Sequence, residues 1–235
     1  MNDTILNHII SRIQESPLQS EPFSHVHIEQ FLPNDFANEA YADLLQVENS
    51  EPDNHFISAN GIKREYKQPR DNHPAYNQLM SLFSTSILLP SIESKFGLLD
   101  GSLHADPSYD GGGYVISPAN THLRYHADFN FSSKIDKYRV LNIILYMNKG
   151  YLPSYGGQLH LLDHTSMTVE KAINPVFNSA VIFITNKSTP HGVSINRNGF
   201  ERRSINAYFY SNNPIKEDQR IPHKTIWMYD KDKRE

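Results

Sequence analysis

The sequence predicts a mainly β protein whose core is a double-stranded β-helix, a jelly roll, braced by helices from its N-terminal part. Three observations predict it. Up to Gly97 the apolar residues recur mostly at three- and four-residue steps, the period of a helix face. After Gly97 the chain turns into short β-branched and aromatic segments punctuated by Gly, Pro, Asn and Ser. About eight such segments occur at even spacing, a number suited to two antiparallel sheets folded into one roll.

Each element follows from local pattern. Ile5, Ile9, Ile10 and Ile13 share one face of a helix over residues 2–15, with Asp3 or Thr4 as N-cap. Val26, Ile28 and Phe31 suggest a strand, and Pro33-Asn34-Asp35 opens a second helix from Phe36 through Leu45. Residues 48–73 are polar and irregular and read as a solvated loop, with a lid over a site as the alternative. Leu79, Leu82, Phe83 and Ile87 predict a third helix from about Pro74 to Lys95. Strands are then expected near 112–117, 121–127, 138–147, 157–162, 167–171, 179–185, 190–195 and 202–210. Residues 1–97 thus form a helical and strand support region and 98–235 the β core, within a single domain overall.

Composition narrows the function. The 22 basic and 26 acidic residues give a net charge of −4, and the basic residues form no stripe, which argues against nucleic acid as a partner. No apolar run approaches the length of a membrane span and no basic, apolar leader opens the chain, so no membrane association and a cytoplasmic location are expected. With no cysteine, any metal must be held by His, Asp or Glu.

The twelve histidines include two H-x-D triplets, His104-Ala105-Asp106 and His126-Ala127-Asp128. Residues i and i+2 of a strand point to one side, so an imidazole and a carboxylate at that spacing can converge on one ion. The second triplet is favoured because it ends an expected strand, whereas the first precedes a proline and a triple glycine in a loop. Ligand substitutions at a strand end are expected to leave the fold intact. A third ligand must come from a distant strand; His191 is preferred over His160, in a strand, and His164, in a turn. Eleven residues beyond His191, Arg202 and Ser204 share a strand face with Asn206 and Tyr208, and an arginine with a hydroxyl suits a carboxylate.

Read in order, these segments resemble the Fe(II)- and 2-oxoglutarate-dependent oxygenases, in their prolyl 4-hydroxylase-like branch. The similar text runs from Gly111 to about Tyr210: the glycines before Tyr114, Leu123-Arg124-Tyr125-His126-Ala127-Asp128-Phe129-Asn130, Tyr138 through Asn148, Tyr155-Gly156-Gly157-Gln158-Leu159, Asn174 through Asn178, His191-Gly192-Val193, and Arg202. The resemblance implies a cupin-like jelly roll with Fe(II) held by His126, Asp128 and His191, and the distal carboxylate of 2-oxoglutarate held by Arg202. It adds Tyr146 on the same carboxylate, Asn142 on the same strand face, and Ser204 in an R-x-S pattern. It implies hydroxylation of an unactivated C–H bond, using O2 and releasing succinate and CO2, with ascorbate as an auxiliary reductant. The substrate class it leaves open: a peptidyl residue, prolyl included, an amino acid or a small metabolite. Phe129, Asn130, Phe131, Lys134 and Arg124 are candidate substrate contacts. Tyr208 stands where many relatives carry Trp, and the carboxylate at Asp128 favours hydroxylation over halogenation. The alternatives are a non-catalytic jelly-roll binding module, and a zinc hydrolase that would leave Arg202 and Tyr146 unexplained.

Overall fold

The computed structural model describes residues 3–215 and 220–228. Four helices, α1 (Asp3–Glu15), α2 (Asn34–Val47), α3 (Pro74–Ser84) and α4 (Leu89–Phe96), lie in the first part of the chain. They are interleaved with β1 (Leu18–Gln19), β2 (His25–Ile28), β3 (Asn54–Ser58) and β4 (Gly61–Tyr66). The rest is β5 (Leu103–Ala105), β6 (Gly113–Ser117), β7 (Leu123–Ala127), β8 (Phe131–Ser132), β9 (Lys137–Tyr146), β10 (Leu159–Leu162), β11 (Val169–Ile173), β12 (Ser179–Ile184), β13 (His191–Val193), β14 (Arg202–Ser211) and β15 (Ile226–Trp227).

The eight core strands expected from the sequence are β6, β7 and β9 through β14. They pair as two four-stranded halves, β12-β9-β14-β6 and β7-β13-β10-β11, with β4 bridging β6 and β7. Strands β1 and β2 extend the first half beyond β12. Alternation along β9 sorts its side chains between two cores. Leu141, Ile143 and Leu145 face the helices, where they pack with Ile9, Ala40, Leu44, Phe83 and Ile92. Ile144 and Tyr146 face the roll interior, with Leu159, Leu161, Val181 and Phe183. A one-residue slip of β9 would exchange these sets, so burial on both faces fixes its register.

Three sequence expectations change. The helix expected over 74–95 is two helices, because a helix continued through Pro90 would lose a hydrogen bond and drive the ring into the preceding turn. The chain turns extended at Thr85 instead (φ −116°, ψ 170°), and α4 starts afresh with Pro90 in its first turn. Within residues 48–73, expected as a loop, lies the β3–β4 hairpin; its alternation is carried by polar residues that an apolar pattern search passes over. The short strands β1, β5, β8 and β15 were likewise missed, being too brief to show a period. Helix α3 gains an N-terminal cap from elsewhere in the chain: the Asp43 carboxylate on α2 accepts the N–H groups of Ala75 (2.8 Å) and Tyr76 (3.0 Å).

The C-terminal segment returns to the roll through one side chain. Asn130, buried, donates from Nδ2 to the carbonyl of Ile221 (3.0 Å) and accepts at Oδ1 the N–H of His223 (2.7 Å). Beyond this staple β15 pairs with β7, Trp227 opposite His126. Asn130→Ala is expected to release the segment without unfolding the roll, seen as protease cleavage around 220–228 at protein concentrations and temperatures where the parent resists.

Candidate functional site

His126 lies on β7, Asp128 just past its end, and His191 opens β13, which pairs with β7 so that the two histidines face each other across the ladder. The Nε2 atoms of His126 and His191 lie 3.5 and 3.4 Å from the two Asp128 carboxylate oxygens. Among the described residues these three form the His/Asp/Glu group close enough to hold a metal ion, with ligand atoms within 4.8 Å of one another. Each ring is oriented from behind: the Nδ1 of His126 meets the Arg124 carbonyl (2.7 Å) and that of His191 the Thr189 carbonyl (3.0 Å). A carbonyl accepts only, so both Nδ1 atoms carry hydrogen and both Nε2 lone pairs face the centre. Burial, and then the neighbouring His191, push the His126 pKa below the usual imidazole value, which keeps the ring neutral as a metal ligand must be.

The competing triplet is spent on local structure. Asp106 accepts hydrogen bonds from the N–H of Ser108 (2.8 Å) and the N–H of Asp110 (2.9 Å), closing a turn. His160 bonds the Tyr125 hydroxyl through Nδ1 (2.9 Å), and His164 lies in a turn.

Asp128 has a partner that sequence reasoning missed. Arg139 is 4% exposed, and its Nη2 donates to Asp128 Oδ2 at 2.8 Å. Burial pushes the Asp128 carboxyl up, but the Arg139 guanidinium beside it outweighs this and holds the group well below the usual carboxylate range. Alternation from Asn142 would send Arg139 to the helix side and Val140 inward. The β9–β14 register skips Val140, however: Phe209 pairs with Leu141 and Tyr210 with Arg139. This bulge returns Arg139 to the interior and leaves Val140 in the helix-side core. Asn142 closes the triangle, donating from Nδ2 to Asp128 Oδ2 (2.9 Å) and accepting Arg139 Nε at Oδ1 (2.9 Å). Arg139 also lies over the Tyr208 ring at 3.5 Å, and the Tyr208 hydroxyl donates to the Gly111 carbonyl (2.8 Å).

Arg139→Met is expected to destabilise the metal-free protein by about 3–5 kcal/mol, the cost of leaving Asp128 as an uncompensated buried charge. Added Fe(II) should restore part of that loss by supplying countercharge, and denaturant unfolding with and without metal measures both.

Arg202 is 3% exposed at the start of β14. Its Nε donates to the Gly157 carbonyl (3.0 Å), its Nη1 to Ser204 Oγ (3.1 Å), and its guanidinium carbon lies 4.9 Å from the Tyr146 ring centre. Gly157 has φ +74°, and a Cβ there would meet Asn196 Oδ1 at 2.7 Å, so the close approach to Arg202 requires glycine. The Tyr146 hydroxyl is buried with no hydrogen-bond partner among the described residues. Burial raises its pKa, so it stays a neutral donor.

A cavity of about 350 Å³ joins these groups, lined by His126, Asp128, Arg139, Asn142, His191 and Arg202 at its inner end. Outer walls come from three places: Phe129 after β7, the β3–β4 hairpin, and Thr225 with Trp227. The ring of Trp227, the sole tryptophan, lies 4.9 Å from that of His126. Of the expected substrate contacts, Phe129 lines the cavity, whereas Asn130 is committed to the C-terminal segment and Lys134, not itself in the lining, pairs with Asp110 at the rim (2.8 Å).

On the hairpin, Asn54 and Glu65 are cross-strand partners, as are Phe56 and Lys63, and all four line the cavity. Glu65, 1% exposed, meets Lys63 at 2.6 Å and Lys67 at 2.8 Å. Burial raises the Glu65 pKa, but Lys63 and the hydrogen bonds from Asn54, Lys63 and Lys67 bring it below the usual value. A lowered carboxyl contributes stability that is present above its unfolded pKa, near 4.3, and lost as pH falls through the lower folded value. Glu65→Gln is therefore expected to lower stability at pH 7 and to flatten its decline below about pH 4.5, as thermal melts across pH would reveal.

Comparison with known proteins agrees with this geometry. The sequence model of the 2OG-Fe(II) oxygenase superfamily matches residues 111–210. No curated protein matches the chain at the sequence level. Among solved structures, a Pseudomonas putida prolyl-4-hydroxylase is similar with a TM-score of 0.62 and 20% identity, over 88% of this chain and 98% of that one. A Trichoplax adhaerens prolyl hydroxylase, solved with a hypoxia inducible factor oxygen degradation domain peptide fragment, gives 0.58 and 17%, over 88% and 89%. HygX of Streptomyces hygroscopicus, solved with nickel and 2-oxoglutarate, gives 0.51 and 11%, over 86% and 92%. No described helix is long and apolar enough to cross a membrane. Over residues 111–210 the chain is similar to the 2OG-Fe(II) oxygenase superfamily, and it shares the jelly-roll core of the solved structures it resembles.

Proposed function

We propose that this protein hydroxylates an unactivated C–H bond of a peptidyl or small-molecule substrate, using Fe(II), O2 and 2-oxoglutarate, with His126, Asp128 and His191 as metal ligands. The observation that carries the reading is the placement of that donor set and of Arg202 at one end of a single cavity. Two neutral imidazole nitrogens and one carboxylate suit Fe(II) and leave positions open on the ion. The cosubstrate fits as well: the buried Tyr146 hydroxyl is a donor without an acceptor, the Arg202 guanidinium lies beside its ring, and a carboxylate suits both.

Arg202 would fix the far carboxylate of 2-oxoglutarate, with Ser204 and the Gly157 carbonyl holding the guanidinium in place. Asn142 joins the cosubstrate wall through its neighbours, positioning Asp128 and Arg139. Bound together, Fe(II), O2 and 2-oxoglutarate supply the oxidising power for C–H hydroxylation, with succinate and CO2 as coproducts. Phe129 and Trp227 keep the reacting end apolar and poor in water. Ascorbate belongs to the proposal only as a reductant that restores Fe(II). The fold likeness to prolyl hydroxylases supports keeping a prolyl residue within the substrate class.

The test needs no substrate. Fe(II) and 2-oxoglutarate added anaerobically should give a weak visible charge-transfer band from the chelate. Its absence from folded, iron-loaded protein would overturn the proposal in favour of a binding module.

A further inference from the structure

The hairpin wall carries more charge than its own packing needs. Glu65 is buried in the cavity wall, and one ammonium would neutralise it; it has two, Lys63 and Lys67. Asp110, at the same rim, is already matched by Lys134. The wall formed by Lys63, Glu65 and Lys67 therefore carries one positive charge in excess. It also has unused donors. Of three N–H groups on each ammonium, Lys63 directs one to Glu65 and one to the Gly111 carbonyl (2.8 Å), and Lys67 directs one to Glu65. Both side chains are only partly exposed, 20% and 15%, and both line the cavity that leads to His126 and His191. Glu65 and the Gly111 carbonyl hold them against rotating away, so the donors are fixed before anything binds.

The same cavity has apolar walls, Phe56 on the hairpin and Trp227 on β15. A volume of about 350 Å³, which must also contain the cosubstrate, lies at the small end of small-molecule sites. We infer that the substrate carries a carboxylate that docks on Lys63 and Lys67, with an apolar part of about amino-acid size held between Phe56 and Trp227 beside the metal ligands. This rests on the proposed function and names the substrate class for that site. The carboxylate can be that of a free amino acid or an acidic side chain of a peptide; the chemistry at the hairpin is shared.

Two probe sets test it on full-length protein loaded anaerobically with Fe(II) and 2-oxoglutarate. One pairs the twenty L-amino acids with their amides; the other pairs capped tripeptides containing Asp or Glu with their Asn or Gln counterparts. Binding is read from the shift in unfolding temperature and the change in the charge-transfer band, and succinate release is counted after O2 is admitted. At least one acid is expected to bind about tenfold or more tighter than its amide, the worth of a charge-assisted hydrogen bond. Lys67→Met should bring the two within about twofold, and Lys67→Arg should keep the preference, which separates charge from a packing defect. The set containing the preferred acid tells which source of carboxylate applies. Amides binding as tightly as acids, an unchanged preference in Lys67→Met, or no binding by any probe to protein that shows the band would overturn the inference and leave the proposed function standing. Loss of the band itself brings down both.

Discussion

His191→Ala is expected to cost at least about a hundredfold in Fe(II) affinity, because even the partners behind a ligand are worth about 10–100-fold. Turnover falls to background while the circular dichroism of the roll stays that of the parent. His191 sits at a strand start, contacts the edge of the Phe183 ring (5.0 Å between centroids), and leaves no charge behind when removed. Equilibrium dialysis with Fe(II) gives the affinity, and retention of parental binding would remove His191 from the ligand set. His104→Ala serves as the control, since His104 lies on β5 opposite Tyr210 and Asp106, the other end of its triplet, is committed to a turn. Asp128→Ala is the less clean experiment. The sequence suggested that any ligand at a strand end could be replaced without harm to the fold, but Asp128 also neutralises buried Arg139. Its loss strands a guanidinium in the interior, so lost turnover in that variant mixes chemistry with instability.

Arg202→Met should raise the concentration of 2-oxoglutarate needed for half-maximal charge-transfer absorbance by roughly 10–100-fold, the equivalent of one or two charge-assisted hydrogen bonds. Fe(II) affinity without cosubstrate should not change, because Arg202 makes no hydrogen bond to His126, Asp128 or His191 among the described contacts. The thioether fills most of the vacated volume, which limits the cavity penalty. Arg202→Lys should fall between the two, keeping charge while losing the fork that binds Gly157 and Ser204 together. An unchanged 2-oxoglutarate requirement in Arg202→Met would place the cosubstrate elsewhere in the cavity.

What the sequence disclosed follows from how far each feature's cause extends along the chain. The β9 and β14 segments were legible because long runs rich in β-branched and aromatic residues announce strands, and the period of two assigned Arg202 and Ser204 to one side of β14 without any coordinates. His126 and Asp128 were legible because an i, i+2 pair at a strand end is a local fact. Arg139 was not, since the bulge at Val140 that turns it inward depends on pairing with β14, more than sixty residues away. The hairpin escaped for another reason. Its inward face is Asn54, Phe56, Lys63 and Glu65, a polar pattern that resembles a solvated loop until the cavity behind it is seen. Asn130 looked like a substrate contact from its position after Asp128; its true partner lies 91 residues downstream.

The staple at Asn130 gives the site an order of assembly in time. A chain leaving the ribosome has all eight strands of the roll once Ser211 has emerged, and the three candidate ligands can then already stand together. The wall containing Thr225 and Trp227 follows Ser211 in the chain and is tied to the roll through the amide of Asn130. Because domains fold as they are synthesised, the three candidate ligands can come together before this wall is in place. Pairing of Ile226–Trp227 with β7 then encloses the cavity, so assembly of the candidate ligands and enclosure of the site are separable steps.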